Sequence, residues 1–432
     1  MNDGSLRQIR VPLLTRVEGE GALDIIIEHD QISHLALRIF EPPRFFEQLL
    51  RGRHFDEVPD IVARICGICP VAYQMSAVHA LERLFDIDPG PWVRDMRRVY
   101  YCGEWIESHS LHMHLLALLD YLGYPHAIAM AADHGDAVRR GLRLQAAGNA
   151  LIRLFGMRSV HPVGARVGGF YSAPSSTAVT SILNSLEQAR HDAQALLAWV
   201  ATLSLPQSAR ECVYVSLTHP TQYPMNEGQF CTSEGDTFSV DQFDDHFAEF
   251  QAPHSTALHC LYHGRSYLVG PLARINHSAH LLNEDVRETL KRSGVSFPSS
   301  NPFHSLIARA AEIYHAVLEA QRLLLMYTPV ASPSVSLKSR AGIAIASTEA
   351  PRGTLWHRFE VDERGLITHA RIVPPTSQNQ AQIESDLRAD LMAFGVHNTD
   401  DDLRRRAEQL IRSYDPCISC ATHFLRLTVE RR

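Results

Sequence analysis

The chain has no run of basic residues, and its formal net charge over 432 residues is −7. It therefore lacks the electrostatic footprint of a nucleic-acid-binding protein, and no nucleic-acid partner is expected. No stretch is apolar over the roughly 20 residues that a membrane-spanning helix needs. The first residues, Met1-Asn-Asp-Gly-Ser-Leu-Arg7, carry no apolar signal core. The expectation is a soluble, cytoplasmic protein. Neither an internal repeat nor a low-complexity linker is present, so residues 1–432 read as a single domain. With 45% hydrophobic residues, the chain can build a large core.

Cysteine is also sparse, at eight residues. Cys102, Cys212, Cys231 and Cys260 are scattered and read as inert core residues. The other four form two Cys-x-x-Cys pairs at opposite ends of the chain. Cys66 and Cys69 lie in Arg64-Ile-Cys-Gly-Ile-Cys-Pro70, and Cys417 and Cys420 lie in Asp415-Pro-Cys-Ile-Ser-Cys-Ala-Thr-His423. Thiolates are soft ligands suited to zinc, copper(I), nickel or iron–sulfur chemistry. Gly67 lets the first pair turn tightly, and Pro416 restrains the approach to the second. A zinc ribbon keeps its pairs close in sequence, and a thioredoxin-like dithiol expects a βαβ context that is missing here. Spacing alone leaves open a four-thiolate metal site, a redox dithiol and an accident of sequence. The 24 histidines are not in themselves a metal signal.

The periodicity is mostly helical. Arg94–Leu122, Ser176–Leu203 and Phe303–Tyr327 carry apolar residues at helical spacing, and a last helix near Asp401–Ser413 leads into the second cysteine pair. Gly21–Glu28 and Ile32–Ile39 read as a β-hairpin. Trp356–Asp362 and Leu366–Val373 read as another, around Glu363-Arg-Gly365. Residues 205–300 are richer in Pro, Gly and Ser and read as an irregular insertion or peripheral lobe. The expected fold class is mainly α, with small peripheral β-hairpins.

The flanking residues narrow the reading. Thr15-Arg-Val-Glu-Gly-Glu20, Arg64–Pro70, Glu349-Ala-Pro-Arg-Gly353 and Asp415–His423 stand in the order found in the large subunits of nickel–iron hydrogenases. From Arg16 to His423 the chain resembles that family, and its compactness is most similar to the NAD(P)-linked and sulfhydrogenase-type group. The resemblance implies a multihelical hydrogenase core and reversible heterolytic cleavage of dihydrogen. All four cysteines would bind nickel, with Cys69 and Cys420 bridging to an iron that carries carbon monoxide and cyanide. Arg352 would stand over the open metal position, and Pro351, Pro374 and Thr376 would surround the diatomic ligands. Cys420 would be the first proton acceptor, and Glu18 would relay the proton onward. Read without the resemblance, Arg352 is a surface turn residue, Glu18 is an exposed turn residue or pairs with Arg16, and Pro374-Pro-Thr376 is a loop.

A magnesium ion is implied near the C-terminus, held by Glu47, His423 and a backbone carbonyl near Asn379 or Gln380. Their bland reading is a surface Glu47 and a solvated His423. Tyr73 stands where many relatives place histidine, and Ser108 where several place aspartate. The chain carries no second cysteine cluster for an iron–sulfur relay. Iron–sulfur clusters and flavin are therefore expected in partners, namely an iron–sulfur small subunit and flavin-containing NAD(P) diaphorase subunits. A maturation endopeptidase and nickel-insertion factors are implied as well, with residues 424–432 either cleaved or retained. The rival readings are a non-catalytic relative like the quinone-site subunit of complex I, and a structural thiolate–metal protein or dithiol reductase.

Overall fold

The computed structural model describes residues 6–423. The tail from Phe424 to Arg432, whose cleavage the sequence leaves open, lies outside the described residues. About 49% of the chain is helix and 19% strand. Seven long helices form the body: α1 Pro70–Phe85, α2 Pro91–Leu111, α3 Ala127–Gly156, α4 Ser176–Val200, α5 Ser305–Leu325, α6 Pro375–Phe394 and α7 Asp400–Tyr414.

Their ends follow local chemistry. Proline occupies the first turn of α1, α2 and α6, where its missing N–H costs nothing. Ser175 caps α4, and Thr399 caps α7 ahead of Asp400, Asp401 and Asp402, which suit the positive end of the helix dipole. Helices α2 and α3 cross closely because two glycines face each other. A Cβ on Gly148 would lie 2.5 Å from the Glu107 backbone nitrogen, and one on Gly103 would lie 3.0 Å from the Gly148 oxygen. The apolar period beyond α2 continues, but as a π-helical turn over His112–Ala117 followed by Leu118–Leu122.

The first hairpin is present as β2 (Gly21–Glu28) and β3 (Gln31–Ile39), and β1 (Arg7–Val11) adds a third antiparallel strand. Within residues 205–300, β4 (Val213–Thr218), β5 (Gln229–Thr232), β6 (Thr237–Phe238), a hairpin of β7 (Phe247–Gln251) and β8 (Leu258–Tyr262), and β9 (Tyr267–Leu268) build a small β-rich layer. Its apolar cluster, including Phe230, Phe243 and Phe247, is shared with Trp356 and Val373 of the next sheet.

That next sheet departs from the sequence reading. The second hairpin gains a strand, giving β10 (Gly342–Ala350), β11 (Gly353–Val361) and β12 (Ile367–Val373) in consecutive antiparallel order. It is not peripheral. Leu355 and Phe359 of β11 enter the main core, whereas Trp356 faces the second cluster. Both faces are covered, so the strand lacks the alternation of a half-exposed hairpin. Pro374-Pro-Thr376 is not a loop either, because it opens α6.

Candidate metal centre

The two cysteine pairs meet. Cys66 Sγ lies 3.6 Å from Cys417 Sγ, and Cys69 Sγ lies 3.8 Å from Cys420 Sγ. Within the pairs the separations are 2.8 Å and 2.7 Å. None of the four forms a disulfide, and all are buried. The two separations between the pairs suit sulfurs that share metal ions through bonds of roughly 2.3 Å.

Each pair is held by its own scaffold. Backbone N–H groups of Ile68 and Cys69 point to Cys66 Sγ, at 3.3 and 3.1 Å. Cys69 then gives way to α1, whose open N–H groups at Val71 and Ala72 donate to the buried Glu104 carboxylate. On the other side, α7 ends at Asp415 in the left-handed conformation (φ 56°). Cys417 N–H donates to Thr376 Oγ1 at 3.0 Å, and Ile418 N–H donates to the Glu18 carbonyl at 2.9 Å. Arg309 caps the carbonyls of Ser413 (2.8 Å) and Tyr414 (3.0 Å) at the end of α7. Arg44 joins the two halves, donating to Ile65 O and to Ser419 O.

The electrostatics favour a metal. Burial raises thiol pKa values, yet Cys66 is driven down by hydrogen bonds from the other three thiols and by Arg352. Cys69, Cys417 and Cys420 are pushed up, chiefly by burial and in each case also by Cys66. Deprotonating all four sulfurs needs a local positive charge larger than Arg352 alone supplies, which is what a bound metal provides. Tyr73 adds a buried hydroxyl with no hydrogen-bond partner among the described residues, and its pKa is raised by burial and by the thiolates.

Arg352 is not on the surface. Ala350 pairs with Gly353, so Pro351 and Arg352 form the two-residue tip of the β10–β11 hairpin, which is pushed into the core. Gly353 has φ +135°, and a Cβ there would meet Val269 Cγ2 at 2.5 Å. The guanidinium donates to Asp415 O at 2.8 Å and Asp415 Oδ1 at 3.1 Å, and reaches Ser108 Oγ at 3.4 Å. Burial opposes its charge, but Asp415 and the thiolates hold its pKa well above the ordinary value. The tip is fastened from behind by Arg274, which donates to Ala350 O (2.9 Å) and Pro351 O (3.0 Å). Arg274 also pairs with Glu312 at 2.7 Å and Glu349 at 2.9 Å, all fully buried.

Glu18 is half-buried, and it turns away from Arg16, which pairs with Asp120. Its Oε2 lies 3.1 Å from Cys417 Sγ. The sequence reading set Cys420 beside Glu18; the sulfur that the structure brings to this carboxylate is Cys417. A parallel backbone bridge between Glu18 and Cys417 sets the two segments side by side.

Glu47 and His423 also meet. His423 Nε2 lies 2.7 Å from Ile372 O and 3.6 Å from Glu47 Oε1, which in turn accepts the Ile372 N–H at 2.8 Å. The carbonyl in this set is Ile372, at the end of β12. It is not Asn379 or Gln380, whose backbone is committed to α6. An imidazole, a carboxylate and a carbonyl fit a divalent cation that keeps several waters. Pro374 N-caps α6, which brings Thr376 to the second cysteine pair.

The sequence reading assigned no role to Asp415, Arg274, Glu312, Glu104, Arg44 or Arg309. Asp415 stood inside the quoted cysteine motif, and a buried arginine needs a counter-ion, so it was within reach. The others come from separate segments and carry no local signal.

Residues 44–140 and 232–423 match the family described as nickel-dependent hydrogenase. The chain belongs to that family. It is a catalytic large subunit of a nickel–iron hydrogenase. It is 32% identical to sulfhydrogenase 1 subunit alpha of Pyrococcus furiosus, over 97% of this chain and 98% of the relative. It is 27% identical to the NAD-reducing hydrogenase HoxS subunit beta of Cupriavidus necator, over 97% of this chain and 95% of that one. The crystal structure of an NAD+-reducing [NiFe]-hydrogenase in the H2-reduced state superposes with a TM-score of 0.89. It is 26% identical and covers 98% of this chain and 100% of that one. The matched segments of this hydrogenase contain both cysteine pairs, Arg352, Glu47 and His423. They leave out Glu18 and residues 141–231. With four converging sulfurs and hydrogenase subunits as relatives, the non-catalytic, structural-zinc and dithiol readings are set aside.

Proposed function

We propose that this hydrogenase subunit cleaves dihydrogen heterolytically at a nickel–iron centre. Cys66 and Cys417 would bind nickel alone, and Cys69 and Cys420 would be shared with an iron carrying cyanide and carbon monoxide. The observation that carries this reading is the asymmetry around the four sulfurs, with a carboxylate against Cys417 and a buried guanidinium on the Asp415 side. When bound, such a centre supplies an electron-rich metal pair that polarises dihydrogen and takes up its electrons.

The chain's own groups supply the rest. Cys417 Sγ holds the departing proton, and Glu18 Oε2, 3.1 Å away, accepts it. Glu18 is half-buried against the sealed sulfurs, so it is the carboxylate through which the proton would leave them. Arg352 presents fixed positive charge to the cluster, oriented by Asp415 and by the Arg274-fastened hairpin tip. Thr376 accepts from Cys417 N–H and keeps its own hydroxyl proton for a polar ligand. The unpartnered Tyr73 hydroxyl offers another, and Pro351 and Pro374 contribute apolar wall. With Ser108 beside it, Arg352 has Asp415 as its carboxylate partner in the ion pair, alongside the cysteine sulfurs. Glu47, His423 and the Ile372 carbonyl would hold magnesium next to the second cysteine segment.

Among the described residues no other cysteine cluster converges, so electrons leave through an iron–sulfur small subunit. The relatives named as a sulfhydrogenase alpha subunit and an NAD-reducing hydrogenase beta subunit favour flavin-containing diaphorase partners and NAD(P) as acceptor, in the cytoplasm. A nickel-insertion factor and a maturation endopeptidase complete this reading. The test is nickel and iron analysis of the intact complex, infrared bands of metal-bound carbon monoxide and cyanide, and dihydrogen-dependent reduction of NAD(P) and of a dye. A complex free of nickel and of those bands ends the reading. Dye reduction without NAD(P) reduction removes only the proposed acceptor.

A further inference from the structure

We propose that His254, His259 and Glu384 form a second metal site, for a zinc-class divalent cation, separate from the cysteine centre and from Glu47 and His423. One ligand atom from each residue lies within 4.8 Å of the others. His254 Nε2 is 2.7 Å from Glu384 Oε1, and His259 Nε2 is 3.8 Å from Glu384 Oε2. Donors around a tetrahedral zinc stand roughly 3.4 Å apart, given bonds of about 2.0–2.1 Å to nitrogen and oxygen. Small movements of three side chains therefore close the site.

The decisive observation is His259. It is only 2% exposed, and among the described residues neither ring nitrogen has a partner within hydrogen-bond range, Glu384 Oε2 lying just beyond it at 3.8 Å. A buried imidazole with two bare nitrogens is costly unless something engages one of them. Its Nε2 faces the Glu384 oxygen that no N–H occupies, because Leu37 N–H and His254 are both on the other oxygen. Two imidazoles and a carboxylate are a nitrogen–oxygen donor set that selects zinc and its neighbours over magnesium or calcium. The His254 and Glu384 side chains are 28% and 19% exposed, which leaves an approach path from solvent.

The site ties three separate segments together. Glu384 is on α6, about 12 Å along the helix from Thr376 at 1.5 Å per residue. Leu37 is on β3. The histidines flank a short loop in which Thr256 N–H donates to Ile39 O at 2.7 Å, and Ala257 packs with Ile418 and Ala421 of the second cysteine segment. A bound cation fastens this loop over the cysteine segment without touching the sulfurs.

The test uses the intact complex, wild type against His254→Ala and His259→Ala. Each is equilibrated with excess zinc, passed through gel filtration and analysed for zinc and nickel. The expected result is one more zinc per chain in the wild type than in either variant, with nickel unchanged. Cobalt exchanged into the wild type should give visible ligand-field bands that both variants lack. His254 is partly exposed, so its variant keeps the test open if His259→Ala fails to fold. Equal zinc in wild type and His254→Ala, an adventitious ion only, overturns the proposal. Loss of nickel from every preparation would count against the cysteine centre and leave this site standing.

Discussion

Glu18 Oε2 stands 3.1 Å from Cys417 Sγ, and the same oxygen accepts the Ser419 backbone N–H at 3.0 Å. The carboxylate is thus aimed by the backbone of the segment whose proton it would receive. Glu18→Gln keeps the shape and an acceptor for Ser419 but cannot take a proton. Dihydrogen-dependent dye reduction is expected to fall by about 10²–10⁴-fold, the usual worth of a positioned acid–base group. Nickel and iron contents should stay at wild-type level. A variant within a few-fold of the wild-type rate would remove Glu18 from the proton path.

Arg352 holds Asp415 through a fork, Nε to the carbonyl and Nη2 to the carboxylate. Arg352→Lys keeps a charge but loses this geometry, because an ammonium cannot span both acceptors. Turnover is expected to drop by about 10²–10³-fold, as for loss of one preorganised electrostatic group. Asp415→Ala has a different signature. It strands a buried guanidinium, so the denaturation midpoint should fall as well, by the equivalent of about 3–5 kcal/mol. Unchanged turnover in Arg352→Lys would show that charge alone suffices.

The cysteine centre was legible because each pair is local, with flanking residues that fix its identity. The arginine tip was legible from Glu349-Ala-Pro-Arg-Gly353 only through family resemblance, since its burial depends on a hairpin whose first strand is Gly-Ile-Ala-Ile-Ala-Ser, small and weakly patterned. Helix α6 escaped notice for a physical reason. It buries Gln378, Asn379, Gln380 and Gln382, so it shows no apolar stripe, and its double proline reads as a break. Missing α6 also misplaced the carbonyl near His423, because Asn379 and Gln380 are helical while Ile372 ends a strand. The cysteine that faces Glu18 was not readable from spacing. It depends on contact between residues at opposite ends of the chain.

The buried trio Arg274, Glu312 and Glu349 sets a pH dependence of stability. One guanidinium serves two carboxylates, and Glu312 has the bidentate share. Burial would raise Glu312, but Arg274 and then His109 overcome it and hold its pKa at about 2, below the ordinary 4.5. Its contribution is present above pH 4.5 and is lost as pH falls toward 2. Glu349 comes second to the same cation, and burial pushes it up to about 7. The folded state then keeps a proton that the unfolded chain releases. That contribution is present below pH 4.5 and is lost as pH rises through 7, by on the order of 3 kcal/mol. Glu349→Gln should therefore flatten the decline in urea midpoint between pH 4.5 and 7 while leaving the acid limb. Parallel curves for variant and wild type would show that Glu349 is already ionised across this range.

Glu47 and His423 connect the cysteine centre to the last described residues. Arg44 N–H donates to Thr422 O at 2.7 Å, and Glu47 N–H donates to His423 O at 3.4 Å, so the segment after Cys420 lies along the chain at 44–47. A cation held by Glu47, His423 and Ile372 O would lock this alignment. Glu47→Gln can still accept the Ile372 N–H but brings no charge to the cation. It should lose about one magnesium per chain and melt several degrees lower, since an ion at a hundred times its Kd stabilises the folded state by about 2.7 kcal/mol. The wild type treated with a chelator should match the variant, and the variant should not respond to the chelator. Nickel should remain in both. A wild-type melting temperature indifferent to chelation would mean that the hydrogen bonds among Glu47, Ile372 and His423 hold this segment without an ion.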